Sequence, residues 1–279
     1  MFRSLLVALT PGGVSEVPAR YAVALAQREH LRLQGLTVID PDRMIPAEAV
    51  PLGGAAYKAR RDDAMLQKVR QAAEETLAAF CAQGKGAGVH CETRVSEGNL
   101  PVVLATAAER ADALIIGHGH GTGRPAPGEV AHLHVLHDVL THCVRPVLVA
   151  STTARATSTV LVAYDGSPHA ARALQSFATS GLYHAHDVHV LTIDDDTAAG
   201  EQVAQRAVDY LRAHEMAVER HVEVPQEDNG RQILEWARRT ESGLLVMGAH
   251  GHSHLREILL GSTTHNVLDA SEIPVLLEH

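Results

Sequence analysis

Short, unbroken apolar runs recur along the chain and alternate with longer segments in which apolar residues return at helical spacing. The runs LLVAL at 5–9, ALIIG at 113–117 and LLVMG at 244–248 are typical of strands buried on both faces of a parallel sheet. AGEQVAQRAVDYLRAHE at 199–215 is one of the intervening helical segments. The alternation predicts a doubly wound α/β architecture, in which ligands lie at the carboxyl ends of the strands.

The strand-like segments of the first half recur in the same order in the second half. The matched pairs are SLLVALTPGG (4–13) with TVLVAYDGSP (159–168), LTVIDPD (36–42) with LTIDDD (191–196), ADALIIGHGHG (111–121) with SGLLVMGAHG (242–251), and RPVLVA (145–150) with IPVLLE (273–278). The first two pairs are 155 residues apart, the third 131 and the fourth 128, so the first half carries an insertion after its second strand. We place it at roughly residues 41–64, where it would cover the cleft of that half or form an interface.

The repeat predicts two tandem domains, residues 1–150 and residues 159–279, each a doubly wound five-stranded parallel sheet of Rossmann-like type. Between them lies STTARATS at 151–158, a small and polar linker without apolar periodicity.

Composition and charge exclude several classes of partner. The 279 residues are 46% hydrophobic, enough to bury a core, and the net charge of −9 argues against nucleic acid as a partner. There is no run of about eighteen apolar residues, so no membrane span is expected, and the run at 5–9 is too short for a signal peptide. Cys81, Cys91 and Cys143 form no CxxC pair and suit free thiols in a reducing compartment. We therefore expect a soluble, cytoplasmic protein.

A glycine and hydroxyl pattern follows the fourth strand of the second half: Gly248-x2-Gly251-x9-Gly261-Ser262-Thr263. Glycine has no Cβ and lets the backbone pass close to a ligand. Gly261-Ser262-Thr263 opens the next helix, and the unpaired amides of a helix N-terminus suit phosphate. The alternative is that the glycines only make turns and that Ser262 only caps a helix.

With this pattern, the second half resembles a universal stress protein domain of the ATP-binding type, whose signature is G-x2-G-x9-G-[ST]. VAYDGS at 162–167 and IPVLL at 273–277 also fit that family. The whole chain resembles tandem members in which two such domains are fused, strongly in its second half and weakly in its first. The resemblance implies ATP as the ligand, with Mg²⁺, and pairing of the two domains through their last strands into a pseudo-dimer.

The resemblance also implies the residues that bind the nucleotide. Asp165 would lie against the adenosine, and the backbone of Ile193 would read the adenine edge. The full implied set is Ala163, Tyr164, Asp165, Ile193, Met247, Gly248, His250, Gly251, Gly261, Ser262 and Thr263. His252 and Arg256 lie in or just after the same loop and either contact phosphate or belong to a solvated surface.

The first half departs from the pattern. Thr10 stands where Asp165 stands in the second half. Counted back from Pro146, the run Leu133-His134-Val135 replaces Gly261-Ser262-Thr263. We therefore predict a degenerate first domain without nucleotide.

A histidine-rich segment in the first half raises the question of a metal. The segment contains His118, His120, His132, His134, His137, His142 and Cys143. Zinc accepts such ligands, but no recognised zinc spacing is present, and the chain carries 19 histidines throughout. We therefore assign no metal ligands from the sequence.

The resemblance implies a regulatory protein that binds ATP in a stress response and hydrolyses it slowly or not at all. It contains neither the P-loop GxxxxGK[ST] nor an SGGxD[ST] loop, and we assign no catalytic residue. An ordered loop would be read by an unknown regulatory protein partner, and a homodimer of tandem chains is plausible. The alternatives are a slow ATPase or a phosphotransferase that autophosphorylates at Ser262 or Thr263, and a nucleotide-free interaction protein.

Overall fold

The structure is a computed structural model that describes residues 1–12, 16–45, 48, 53–117, 133–151, 157, 159–182, 187–249 and 261–279. The elements of the first half are β1 (Ser4–Ala8), α1 (Glu16–Glu29), β2 (Arg32–Ile39), α2 (Pro41–Met44), α3 (Ala55–Gly86), β3 (Cys91–Glu97), α4 (Leu100–Ala108), β4 (Ala113–Gly117), α5 (Leu133–His142) and β5 (Val147–Ala150). Those of the second half are β6 (Thr159–Ala163), α6 (Pro168–Ser180), β7 (Asp187–Ile193), α7 (Thr197–Ala213), β8 (Val218–Glu223), α8 (Asn229–Arg239), β9 (Leu244–Gly248), α9 (Ser262–Ala270) and β10 (Val275–Glu278).

All ten strands belong to one sheet, in the order β3-β2-β1-β4-β5-β10-β9-β6-β7-β8. The strands within each half are parallel, and the halves meet where β5 and β10 pair antiparallel, with Leu148 opposite Leu276. This confirms the predicted pseudo-dimer of two α/β domains. The pairing covers the edge strand that each half would otherwise expose.

Helices cover both faces of the sheet, as the unbroken apolar strands require. Helices α1, α3, α6 and α7 pack on one face, and α4, α5, α8 and α9 pack on the other. Both core clusters run across the seam between the halves, because Leu148 and Leu276 lie in one cluster while Val149 and Val275 lie in the other. The two domains therefore share a continuous core.

The extra length of the first half takes the form of α2 and a long α3. Helix α3 has 32 residues, whereas α7, its counterpart, has 17. None of residues 55–72 is buried, and the side chains that α3 buries begin at Ala73. Farther along, Phe80 lies so close to Gly35 that a Cβ there would be 2.7 Å from its ring. The C-terminal part of α3 is thus anchored in the core, while its N-terminal part projects beyond it.

Across the described residues, no helix combines the length and apolarity needed to cross a membrane.

Candidate functional site

A cavity of about 250 Å³ lies at the carboxyl ends of β6, β7 and β9, beside the start of α9. Nine of the eleven residues predicted from the sequence line it, namely Ala163, Tyr164, Asp165, Ile193, Met247, Gly248, Gly261, Ser262 and Thr263. The other two, His250 and Gly251, lie outside the described residues, as do His252 and Arg256. Segments that are distant in sequence meet here because the carboxyl ends of parallel strands share one edge of the sheet.

The turn after β6 places Asp165 at the wall of the cavity. Its Oδ1 accepts from the backbone amide of Ser167 at 2.9 Å, and the Ser167 hydroxyl accepts from the amide of Ala170 at 3.1 Å. Ser167 therefore caps α6, while Gly166 takes a left-handed backbone with φ +80°. The carboxylate is held by the same turn that starts the helix.

Tyr164 forms the neighbouring part of the wall, and its backbone is bonded to β7. The Tyr164 amide donates to the carbonyl of Leu191 at 2.9 Å, and the Thr192 hydroxyl donates to the carbonyl of Tyr164 at 2.7 Å. Burial raises the pKa of the Tyr164 phenol; Arg206 opposes the rise and Asp165 adds to it. The phenol therefore stays protonated at neutral pH.

Close packing against α6 requires a glycine at position 248, and the sequence did not reveal this requirement. A Cβ at this position would lie 2.7 Å from the amide nitrogen of Ala170 and 2.9 Å from the carbonyl carbon of His169. Both are backbone atoms at the start of α6, so they have little freedom to move. Glycine at this position therefore allows β9 to pack against α6, whatever part it has in the approach of a ligand.

Helix α9 presents its N-terminus to the cavity. It begins at Ser262, and its N-cap residue Gly261 has no side chain that could accept from the first amides. The alternative in which Ser262 caps the helix is therefore wrong, since Ser262 is the first helical residue. The first amides of a helix and the positive end of its dipole suit an anionic group such as phosphate.

Five further residues line the cavity that sequence reasoning did not select: Ala170, Leu191, Asn229, Ile233 and Thr264. Asn229 is the first residue of α8, and its Oδ1 is buried without a hydrogen-bond partner among the described residues. Buried polar atoms normally have a partner, so this acceptor is suited to a ligand. No motif marks Asn229, because it reaches the cavity from the connection after β8 and not from the glycine-rich loop.

In the first half, the carboxyl edge of the sheet carries different residues from those around the cavity. The buried Asp40 carboxylate accepts from the amide of Leu100 at 2.8 Å, at the start of α4. Met44 and Val135 are both buried, and Val135 stands at the position of Thr263. The glycine-rich loop of this half, with His118, His120 and His132, lies outside the described residues. That the first domain holds no nucleotide stays a prediction.

Comparison with known proteins gives a consistent result for both halves. The model described as "Universal stress protein family" matches residues 1–151 and 157–277. A universal stress protein of Synechocystis is 30% identical over 166 residues, which is 59% of this chain and 57% of that protein. One of Methanocaldococcus jannaschii is 41% identical over 56 residues, or 20% of this chain and 32% of that protein. The match thus spans little more than half the length of the first relative and about a third of the second.

The solved structure of a universal stress protein from Archaeoglobus fulgidus is similar over the whole chain. It has a TM-score of 0.73 at 20% identity and covers 99% of this chain and 95% of its own. At this identity, the similarity establishes the fold.

Proposed function

This chain belongs to the universal stress protein family, and from this premise we propose that it is a stress-response regulatory protein that binds ATP in its C-terminal half. The observation that carries the proposal is the cavity beside α9, where a carboxylate, a strand end and a helix N-terminus converge. The first half would contribute to the shared core and to the assembly without binding nucleotide.

The residues around the cavity fit the two ends of a nucleotide. Asp165 can accept from the adenine amino group or a ribose hydroxyl, and Ile193 lies at the end of the neighbouring strand. At the other side, the amides and hydroxyls of Ser262 and Thr263 can donate to phosphate oxygens. The buried acceptor of Asn229 is a further group that a bound ligand would satisfy. Mg²⁺ would enter with the phosphates and neutralise part of their charge.

Regulation fits the described residues better than rapid hydrolysis does. Of the residues that line the cavity, the titratable ones are Tyr164 and Asp165. The raised pKa of Tyr164 makes it a poor base at neutral pH. Asp165 would face the adenosine and not the γ-phosphate. Bound ATP would instead order the loop after β9 and create a surface for a protein partner, with hydrolysis slow or absent.

Chromatography of the nucleotide released on denaturation, followed by titration of the stripped protein with ATP·Mg²⁺, tests the proposal. We expect one nucleotide per chain, lost in Gly261→Val and Asp165→Ala. Thr10→Ala, at the position in the first half that matches Asp165, is the control and should bind normally. Two nucleotides per chain would overturn the prediction for the first domain. No binding at all would reject the ATP proposal and favour an interaction protein, and fast turnover of bound ATP would favour an ATPase or phosphotransferase.

A homodimer of tandem chains is part of the proposal. The projecting part of α3 offers surface for it, and Tyr57 there is 75% exposed. Light scattering on the full chain and on Tyr57→Ser should show a dimer that the substitution weakens; a monomer in both would reject it.

A further inference from the structure

Two neighbouring strands at one end of the sheet bring two imidazoles and a carboxylate together. His189 lies on β7, and Glu219 and His221 lie on β8, the outermost strand. The Nδ1 atom of His189 is 2.9 Å from Nε2 of His221 and 3.5 Å from Oε2 of Glu219. The Nε2 atom of His221 is 3.9 Å from the same carboxylate oxygen. Three potential ligand atoms thus form a compact triangle.

The register of the two strands creates this triangle. His189 is paired with Glu219, and Leu191 is paired with His221. Residues two apart on a strand share a face, so Glu219 and His221 both project to the side on which Leu191 packs. This is the face covered by α8, where the ring of Trp236 lies 4.4 Å from that of His221.

The triangle has the dimensions of a tetrahedral metal site. Ligand atoms about 2.0–2.1 Å from a tetrahedral Zn²⁺ are separated from one another by about 3.4 Å. The three separations here, 2.9, 3.5 and 3.9 Å, lie on both sides of that value. We infer that His189, Glu219 and His221 form a binding site for Zn²⁺, with two imidazole ligands, one carboxylate ligand and a fourth position for water.

The chemistry and accessibility of the three groups agree with this assignment. Two imidazoles with one carboxylate suit zinc, whereas Mg²⁺ and Ca²⁺ prefer ligand sets made of oxygen. The side chains of His189 and His221 are 16% and 22% exposed, while that of Glu219 is 73% exposed. The imidazoles are therefore held in place by packing, and the carboxylate is free to close over a metal that arrives from solvent. Within the described residues, no other group of three such ligands occurs.

The site is separate from the cavity but shares its supporting elements. His189 is two residues before Leu191 and four before Ile193 on β7, and both of those residues line the cavity. Trp236 lies on α8, whose first residue, Asn229, also lines the cavity. The inference goes beyond the proposed nucleotide function and does not depend on it.

Trp236 provides a local test because it is the only tryptophan in the chain and its ring lies against a proposed ligand. The full chain, stripped with a chelator, would be titrated with Co²⁺ while tryptophan emission is recorded. We expect saturable quenching that EDTA reverses, that Zn²⁺ competes away and that Mg²⁺ does not reproduce. His189→Gln and Glu219→Gln should each weaken Co²⁺ binding by about tenfold or more, since even outer-shell changes cost that much.

The two substitutions keep His221 against Trp236, and a matched control separates the site from a surface histidine. His90→Gln removes an exposed imidazole that has a carboxylate neighbour, Glu92, at 3.2 Å, and it should leave the titration unchanged. If His189→Gln failed to fold, the exposed Glu219 would still supply the test. Absence of saturable quenching in the parent chain would overturn the inference. The inference would also be overturned if His189→Gln and Glu219→Gln left the midpoint of the Co²⁺ titration unchanged, because the metal would then bind elsewhere.

Discussion

The side-chain amide of Asn266 in α9 donates to Oδ1 of Asp228, the N-cap residue of α8, at 3.1 Å. The same oxygen accepts from the amides of Gly230 at 2.9 Å and Arg231 at 3.1 Å. One carboxylate therefore both starts α8 and ties it to α9. Each of these helices contributes lining to the cavity, so this contact links two of its walls.

Asp228→Ala should lower both stability and ATP affinity. Loss of an N-cap costs about 1 kcal/mol, and the link to Asn266 is lost with it. Urea unfolding and ATP titration measure the two effects. The matched control is Asp196→Ala, since Asp196 caps α7 through the amides of Ala198 and Ala199. It should cost similar stability without changing ATP affinity, and equal loss of affinity in both variants would contradict the role of the α8–α9 link.

The stabilising effect of Asp228 should also depend on pH. The hydrogen bond from Asn266, followed by that from the amide of Arg231, lowers the pKa of the Asp228 carboxyl. A carboxyl whose pKa is depressed in the folded state stabilises that state above the unfolded pKa and loses the effect as pH falls through the folded pKa. The stability difference between the parent chain and Asp228→Ala should therefore be constant near neutral pH and shrink below about pH 4. A stability difference between the two chains that grows as the pH falls would contradict this prediction.

Gly230→Ala should force α8 away from α9. The added Cβ would lie 2.8 Å from Cβ of Asn266 and 2.9 Å from the carbonyl oxygen of Thr263, a cavity residue. Overpacking of this kind costs about 1–3 kcal/mol, and ATP affinity should fall as well. Gly86→Ala is the control, because nothing lies within 4 Å of its added Cβ and it lies in α3. Thermal unfolding should show a lower midpoint for Gly230→Ala and no loss for Gly86→Ala.

Gly248→Ala should destabilise the protein even without nucleotide, because the clash is with the backbone of Ala170 and His169. Gly117 is the equivalent position in the first half, where an added Cβ would meet the Pro18 side chain at 3.1 Å. Gly117→Ala should therefore be milder. Denaturant unfolding of both variants without ligand compares them, and full stability of Gly248→Ala with lost ATP binding would instead assign the glycine to the ligand alone.

Asn229→Ala should weaken ATP binding while leaving the free protein as stable as before or more stable. The buried Oδ1 has no hydrogen-bond partner in the described structure, and such an acceptor carries a desolvation cost in the free protein. A ligand that donates to it gains about 1 kcal/mol, equivalent to an affinity change of about fivefold. Calorimetric titration of ATP and unfolding of the free protein give the two values. Unchanged affinity would show that Asn229 lines the cavity without contacting the ligand.

The local features of this protein are determined by its sequence. Apolar runs such as 113–117 and 244–248 specify strands, and the internal repeat indicates two domains of the same order. Strand order and the parallel sheet place Asp165, Ile193 and Ser262 at one edge, because the carboxyl ends of parallel strands lie together. Nine of the predicted residues therefore line one cavity although they come from four separate segments.

Contacts between elements were decided only by the tertiary structure. The triangle of His189, Glu219 and His221 depends on the register between β7 and β8, which no local pattern specifies. The requirement for glycine at 248 arises from the approach of α6. The position of α8 leaves the acceptor of Asn229 without a partner in the part of the chain that the structure describes. Hydrophobic periodicity fixes which face of an element is buried, whereas register and helix packing fix which side chains from different elements meet.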